Sequence, residues 1–463
     1  MIRLLLPALG SAALLMAAPL AAQNYAVQPR IYGGDDAANG DWPWMTLVSA
    51  VDPNDSSRSQ RCGGVLISPY FVITAAHCMY NENFQRSQTV LLNMDDVDVP
   101  FSSLFYTTRS TGTNIEVNPD YVTDDDNYEH DIVLMRVEDP VTVSRYPSLG
   151  SLAEISRLNS LSASQRNEIV TALGWGETDS GTLANALQQV TLDYIPRNTC
   201  NSQWGSQPIT GNMICAAETS EPPPSGQDTC RGDSGGPLFT GTTRNPEVIG
   251  LTSFGTTTCG GAVPPAVYTN VAAYLTWLEQ RTFAFDEPIV DVAATLPTSV
   301  RSGIGTTTKL TMTVRNASVF NEAQDIQFTV TVPAGTVIDN LLLDGSPASC
   351  TGVSTLTCDV ADTLLAGASH SVTMDITHTG DSDINRTLTF NVTHNRFDYR
   401  SLNNTDVEVP LTFSDAPVGG GGSSSGGALF YTLPWLALGA LLRRRKWSVS
   451  QPTSSSASSS GAR

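Results

Sequence analysis

The apolar positions of this chain fall into short runs, most of them fewer than ten residues long. Between residue 31 and about residue 281, glycine, proline and asparagine separate Gly64-Val65-Leu66-Ile67, Phe71-Val72-Ile73, Ile132 to Val137, Ala186 to Leu192 and Val248 to Phe254. Runs of that length and spacing predict an all-β barrel or sandwich. One segment departs from this pattern. Across Val271 to Arg281, Tyr274, Leu275, Trp277 and Leu278 share a face at helical spacing. After Pro288 the pattern becomes a strict alternation, rich in threonine: Lys309 to Val314, Ile326 to Val332, Ser371 to Thr377, Thr387 to Thr393 and Val407 to Phe413. This predicts a separate small β-sandwich of about seven strands, with turns at Asn316-Ala317-Ser318 and Pro333-Ala334-Gly335.

The two ends read differently. Residues 1–22 combine Arg3 with an apolar run from Leu4 to Leu20, the pattern of a secretory signal peptide. Residues 417–427 form a Gly/Ser linker. The apolar stretch that follows is shorter than the ~20 residues of a comfortable bilayer span and runs into Arg443-Arg444-Arg445-Lys446, so residues 428–446 read as a short apolar helix with a basic cluster. Residues 447–463 are a serine-rich tail.

At 463 residues the chain is too long for one ordinary core. Its 45 acidic and 25 basic residues leave a net charge of −20, which excludes a nucleic-acid partner because phosphate binding needs basic surface. An exported chain meets an oxidising compartment, so the eight cysteines are expected in disulfides. Asp124-Asp125-Asp126 reads as solvated loop. Asp95, Asp96 and Asp98 match no calcium-loop spacing, and neither a metal nor a cofactor is assigned.

Three short segments carry chemistry. In chain order they are Thr74-Ala75-Ala76-His77-Cys78, Asp131-Ile132-Val133-Leu134-Met135 and Gly232-Asp233-Ser234-Gly235-Gly236-Pro237. Taken singly, a histidine in a β domain or a serine among turn residues means little. Together they supply a nucleophile, a base and an acid that orients the base, in the order His, Asp, Ser.

On these segments, residues 31–282 resemble the trypsin/chymotrypsin family of serine proteases, which implies a double β-barrel. The resemblance implies His77 as general base, Asp131 as its orienting acid and Ser234 as nucleophile, with Gly232 and Ser234 giving the oxyanion-hole amides. His130 lacks the Ala-Ala-His-Cys setting and is set aside. Arg30-Ile31-Tyr32-Gly33-Gly34 resembles the family's activation site, with residues 23–30 as activation peptide; cutting after Arg30 frees the Ile31 amine to pair with Asp233. Asp41-Trp42-Pro43-Trp44 and Gly174-Trp175-Gly176 also match family segments. Asp228, six residues before Ser234, stands where the trypsin branch carries the carboxylate of its primary pocket, which implies Arg/Lys specificity. Ser253 and Gly255 match the substrate-pairing strand, with Phe254 in place of the usual tryptophan. Ala266 departs from the family's glycine and narrows the pocket. The implied disulfides are Cys62–Cys78, Cys200–Cys215 and Cys230–Cys259, which leaves Cys350–Cys358 in the second domain.

Residues 288–413 resemble the immunoglobulin-like repeats of bacterial surface proteins, a spacer or docking module. The tail resembles the glycine-rich C-terminal sorting signals of Gram-negative secreted proteins, cut by a rhomboid-like membrane protease. The expectation is a secreted or surface-displayed endopeptidase, with its sorting segment transiently in the membrane. Its partners would be Arg/Lys-containing protein or peptide substrates, an activating protease (or itself) and the sorting protease. The rivals are a non-catalytic homologue that binds at the cell surface and an adhesin in which the sandwich is the active part.

Overall fold

The structure is a computed structural model. It describes residues 31–52, 55–79, 88–92, 106–110, 112–122, 128–178, 180–205, 207–219, 226–261 and 263–414. The expected signal peptide, activation peptide with Arg30, linker, apolar segment and tail lie outside the described residues, as do Asp95, Asp96, Asp98 and Asp124 to Asp126. No helix among the described residues is long and apolar enough to cross a membrane.

Strands dominate the fold. A seven-stranded sheet runs in the spatial order Tyr106–Ser110, Gln88–Leu92, Met45–Asp52, Asp55–Ser68, Phe71–Thr74, Val133–Arg136, Ile115–Val117. A second sheet closes on itself. Gln188–Ile195 pairs with Val170–Gly174, then Pro237–Gly241, Pro246–Phe254, Ala266–Asn270 and Met213–Ala217, which returns to Gln188–Ile195. Closure leaves this six-stranded barrel without a free edge. The two sheets share one apolar core around Trp42, Trp44 and Phe239. The Trp42 and Phe239 rings lie 4.7 Å apart, and Trp44 meets Phe239 edge-on at 5.6 Å. Apolar side chains on the facing strands therefore hold the sheets together.

The segment with helical spacing splits into a 3-10 turn at Val271–Tyr274 and the helix Leu275–Ala284. Leu275, Leu278, Glu279 and Thr282 are its buried residues, and Trp277 is half-buried. The chain then enters a two-sheet sandwich. One sheet runs Val292–Thr295, Thr307–Asn316, Ser369–His378, Thr336–Leu343, Ser346–Pro347; the other runs Val300–Ser302, Val407–Phe413, Ile384–Thr393, Ala323–Thr331, Thr355–Leu364, Cys350–Thr351. Alternate residues such as Leu310, Met312 and Val314 point into a core that also holds Phe328 and Phe390. Seven of these strands have seven or more residues; the short ones line the edges.

A buried carboxylate joins barrel and sandwich. Glu279 accepts from the consecutive amides of Val319, Phe320 and Asn321 at 3.0, 2.5 and 3.1 Å, and from the Tyr399 hydroxyl at 2.8 Å. The Asn321 amide group donates to the carbonyls of Glu279 and Ile289. Burial and the neighbouring Glu279 charge hold the Tyr399 hydroxyl well above its usual pKa, so it stays a donor. Deleting one buried acceptor that serves four donors costs more than deleting one donor. Tyr399→Phe is expected to lower unfolding free energy by about 1–2 kcal/mol and Glu279→Ala by about 3 kcal/mol, read by urea denaturation. Equal small losses would show that the clamp is not what holds the two parts together.

Candidate active site

The site lies where loops from the two barrel sheets meet. His77 sits on a 3-10 turn, Ala76–Cys78, directly after strand Phe71–Thr74. The Cys62–Cys78 disulfide ties that turn to the neighbouring strand. Asp131 precedes strand Val133–Arg136 of the same sheet, whereas Ser234 precedes strand Pro237–Gly241 of the closed barrel. Two bonds align the halves: the Gly63 amide donates to the Ser234 carbonyl at 2.8 Å, and the Thr269 hydroxyl to the Asp131 carbonyl at 2.8 Å.

Asp131 is fully buried. Its Oδ1 accepts from the His77 amide at 2.9 Å, and its Oδ2 lies 2.8 Å from His77 Nδ1 and 2.5 Å from the Ser253 hydroxyl. An ionised carboxylate only accepts, so Nδ1 carries the proton and Nε2 of the neutral ring is left as an acceptor. Burial alone would raise the Asp131 pKa; the charge and hydrogen bond of His77, with the Ser253 hydroxyl, bring it below the usual carboxylate range. For His77, burial pulls downward but the Asp131 charge and hydrogen bond win, and its pKa rises above 6.5. His130 adopts a left-handed backbone, φ 62°, and its Nδ1 lies 3.2 Å from the Tyr274 hydroxyl, so it takes no part.

His77 and Ser234 line one cleft of about 310 Å³ with Asp228, Ser253, Gly255 and Ala266. Gly232 holds φ 98°, a conformation costly for any residue with a Cβ. Among the described residues, neither the Gly232 nor the Ser234 amide donates to another backbone group. Asp228 is buried at the cleft. Its Oδ2 accepts from the Gly260 amide at 3.2 Å, while Oδ1 is buried without a partner among the described residues. Burial pushes its carboxyl up to about 7, against the pull of the Gly260 and Thr229 amides.

Asp233 points away from the cleft. It is fully buried and accepts from the Gly176 amide at 2.7 Å and the Cys230 amide at 2.8 Å. A Cβ on Gly174 would come within 2.0 Å of its Oδ1, so Gly174 and Gly176 are needed for its close approach. Burial pushes this carboxyl too up to about 7. Ile31 is wholly buried and bridges Thr178, on the continuation of that glycine segment. The disulfides are Cys62–Cys78, Cys200–Cys215, Cys230–Cys259 and Cys350–Cys358.

The sequence model of the Trypsin family matches residues 31–278, over half of the chain. The chain belongs to the trypsin family. Its relatives include Melanization protease 1 of Drosophila melanogaster, 30% identical over 58% of this chain and 68% of that protein. The clotting factor G beta subunit of Tachypleus tridentatus is 32% identical over 55% of this chain and 80% of its own length. Ovochymase of Halocynthia roretzi is 31% identical over 54% of this chain, but only 15% of that longer protein is matched. These matches cover little more than the trypsin-family part of the chain.

Two cleft residues, Tyr128 and Arg231, and one that packs behind the cleft, Trp204, were not singled out in the sequence. Tyr128 stacks on Phe254 at 5.2 Å and meets the His77 ring edge-on at 6.0 Å; Trp204 packs edge-on against Phe254. Arg231, exposed at the rim, pairs with Glu177 at 3.2 Å. Tyr128 lies three residues before Asp131, a proximity that was visible. Trp204 gave no such signal, because its ring reaches Phe254 from a separate helix, Arg197–Trp204. The Ser253 hydroxyl, expected in the substrate-pairing strand, turns out to donate to Asp131.

Because the Asp131 charge raises the His77 pKa, the rate against an uncharged ester is expected to climb with pH through a midpoint above 6.5. Asp131→Asn removes that charge and leaves the burial, so the midpoint should fall below 6.5 and the rate by about 10⁴-fold. A midpoint that does not move would separate the carboxylate from the imidazole it faces.

Proposed function

We propose that the chain is a serine endopeptidase cleaving after Arg or Lys, exported as a precursor and activated by a cut after Arg30. The observation that carries this reading is the cleft that joins His77, Ser234 and a buried Asp228 oxygen with no partner among the described residues. A carboxylate there answers a guanidinium or ammonium, and burial without such a partner is costly. The Ala266 methyl narrows the slot beside Gly255, where an added Cβ would lie 3.9 Å from Ala266.

The Ser234 hydroxyl attacks the scissile carbonyl carbon as its proton passes to His77 Nε2. The oxyanion turns toward the amides of Gly232 and Ser234, a stabilisation worth roughly 2.7–4 kcal/mol per donor. Collapse breaks the C–N bond, and His77 protonates the leaving amine. Water, deprotonated by His77, then attacks the acyl-serine, releasing the acid and restoring Ser234. Throughout, Asp131 holds the ring and balances the imidazolium.

Asp233 supports the precursor reading. It is buried with no cationic partner among the described residues, beside the segment that Ile31 bridges. Cutting after Arg30 would supply an ammonium at Ile31. Arg30 suits the proposed pocket, so self-activation and an outside protease are both open routes. Export rests on residues 1–22 and fits the four disulfides. Gram-negative surface placement, with rhomboid-like cutting of the tail, rests on residues 417–446 alone. The sandwich is then an immunoglobulin-like spacer.

With protein starting at Ile31, Asp228→Asn should lower kcat/KM for an arginyl amide by on the order of 10⁴-fold, and Arg30→Ala should leave full-length protein uncut and inactive. Because the Asp228 carboxyl lies near 7 and must ionise to hold a cation, benzamidinium affinity should rise about tenfold per pH unit below 7 and level off above it. Full arginyl activity in Asp228→Asn would overturn the specificity reading and leave the triad intact.

A further inference from the structure

A second cavity, of about 390 Å³, opens where barrel and sandwich meet. Its walls come from both. Arg145, Tyr146 and Arg244 belong to the barrel part, and Arg396, Phe397 and Leu402 to the sandwich. In a chain with 45 acids and 25 bases, three arginines on one cavity are unexpected. Four other arginines are paired, Arg157 with Glu154, Arg231 with Glu177, Arg281 with Glu116, and Arg400 with Glu247 and Asp291, while others such as Arg136 and Arg197 have no ion pair among the described residues. Arg145, Arg244 and Arg396 have no ion pair among the described residues.

The acid nearest to hand is already engaged. Asp398 also lines the cavity, but its Oδ2 accepts from the Val292 amide, the His394 ring and the Asn404 side chain, and its Oδ1 from the Arg400 amide. Glu287 borders a neighbouring cavity with Arg396 and makes no ion pair there. Arg145 and Arg396 are half-buried, and the Nε of each is sealed from solvent without an acceptor among the described residues. Among the described residues, the one polar contact of the Arg145 side chain is a long 3.4 Å bond to the Asp41 carbonyl. Half-burying two guanidinium groups without an anion is unfavourable. The Tyr146 and Phe397 rings, edge-on at 4.9 Å, give the same cavity an apolar wall.

The geometry points to a binding site for a small organic oxyanion, a phosphate or carboxylate group on an apolar body, seated between barrel and sandwich. Guanidinium forks match planar and tetrahedral oxyanions in two-point contacts. The volume lies within the range of sites for molecules of that kind. The cavity is distinct from the cleft of His77 and Ser234, with no lining residue in common. A ligand touching both walls also strengthens the attachment of the sandwich, because it binds only the docked arrangement.

The test is calorimetric titration of the protein cut after Arg30 with phenyl phosphate at constant ionic strength, with benzamidine occupying the catalytic cleft. The expected result is one saturable site, with affinity lowered at least tenfold in the Arg145→Gln/Arg396→Gln double variant. That variant should hydrolyse small substrates at the wild-type rate, which checks its folding. If it does not fold, Arg244→Gln, at an exposed position, should still weaken binding severalfold. Sodium phosphate and acetate in place of phenyl phosphate show whether the apolar body contributes: weaker binding of both is expected. No saturable heat, or an affinity unchanged by these substitutions, would overturn the proposal.

Discussion

The arrangement at the cleft depends on keeping one carboxylate ionised out of water. Asp131 has no solvent contact, and three donors around it replace the hydration it has lost. Two of these come from His77 and one from Ser253, so the carboxylate binds together a turn of one sheet and a strand of the other. Such a group is tolerable only when its donors are held in place. The shared aromatic core and the Cys62–Cys78 bond do that holding, and the imidazole orientation follows from it.

Two further buried carboxylates are in a different condition. Asp228 and Asp233 receive backbone amides but no cation among the described residues, and burial pushes both up to about 7. Their positions differ in a useful way. Asp228 opens to the cleft that His77 and Ser234 line. Asp233 is enclosed by Gly174 and Gly176, away from the cleft. Glu279 shows a third solution: its three amides and one hydroxyl satisfy it and fix the sandwich in place.

Much of this was legible in the sequence where the information is local. Alternation in Thr307–Asn316 and Ser369–His378 matched strands with one buried face. Thr336–Leu343 went unread because it is mostly half-exposed next to an edge, so its apolar residues do not alternate. Thr355–Leu364 lost its period at Ala361-Asp362-Thr363, near a register shift in its partner strand. The glycine-framed Ser234 and the Ala-Ala-His-Cys turn are compact signals. By contrast, Ser253 meets Asp131 across 122 residues, and Glu279 meets Tyr399 across 120. No periodicity encodes such pairs. A glutamate on an amphipathic helix looks solvent-facing until the fold brings three amides to it.

The central question for this cleft is whether the buried Asp131–His77 pair activates Ser234. The most direct measurement is intact mass after a brief exposure of Ile31-terminated protein to a fluorophosphonate at pH 8. One adduct on Ser234, absent in Ser234→Ala and formed far more slowly in His77→Ala, is the result predicted. No adduct on correctly terminated protein, or labelling that does not depend on His77, would contradict the account.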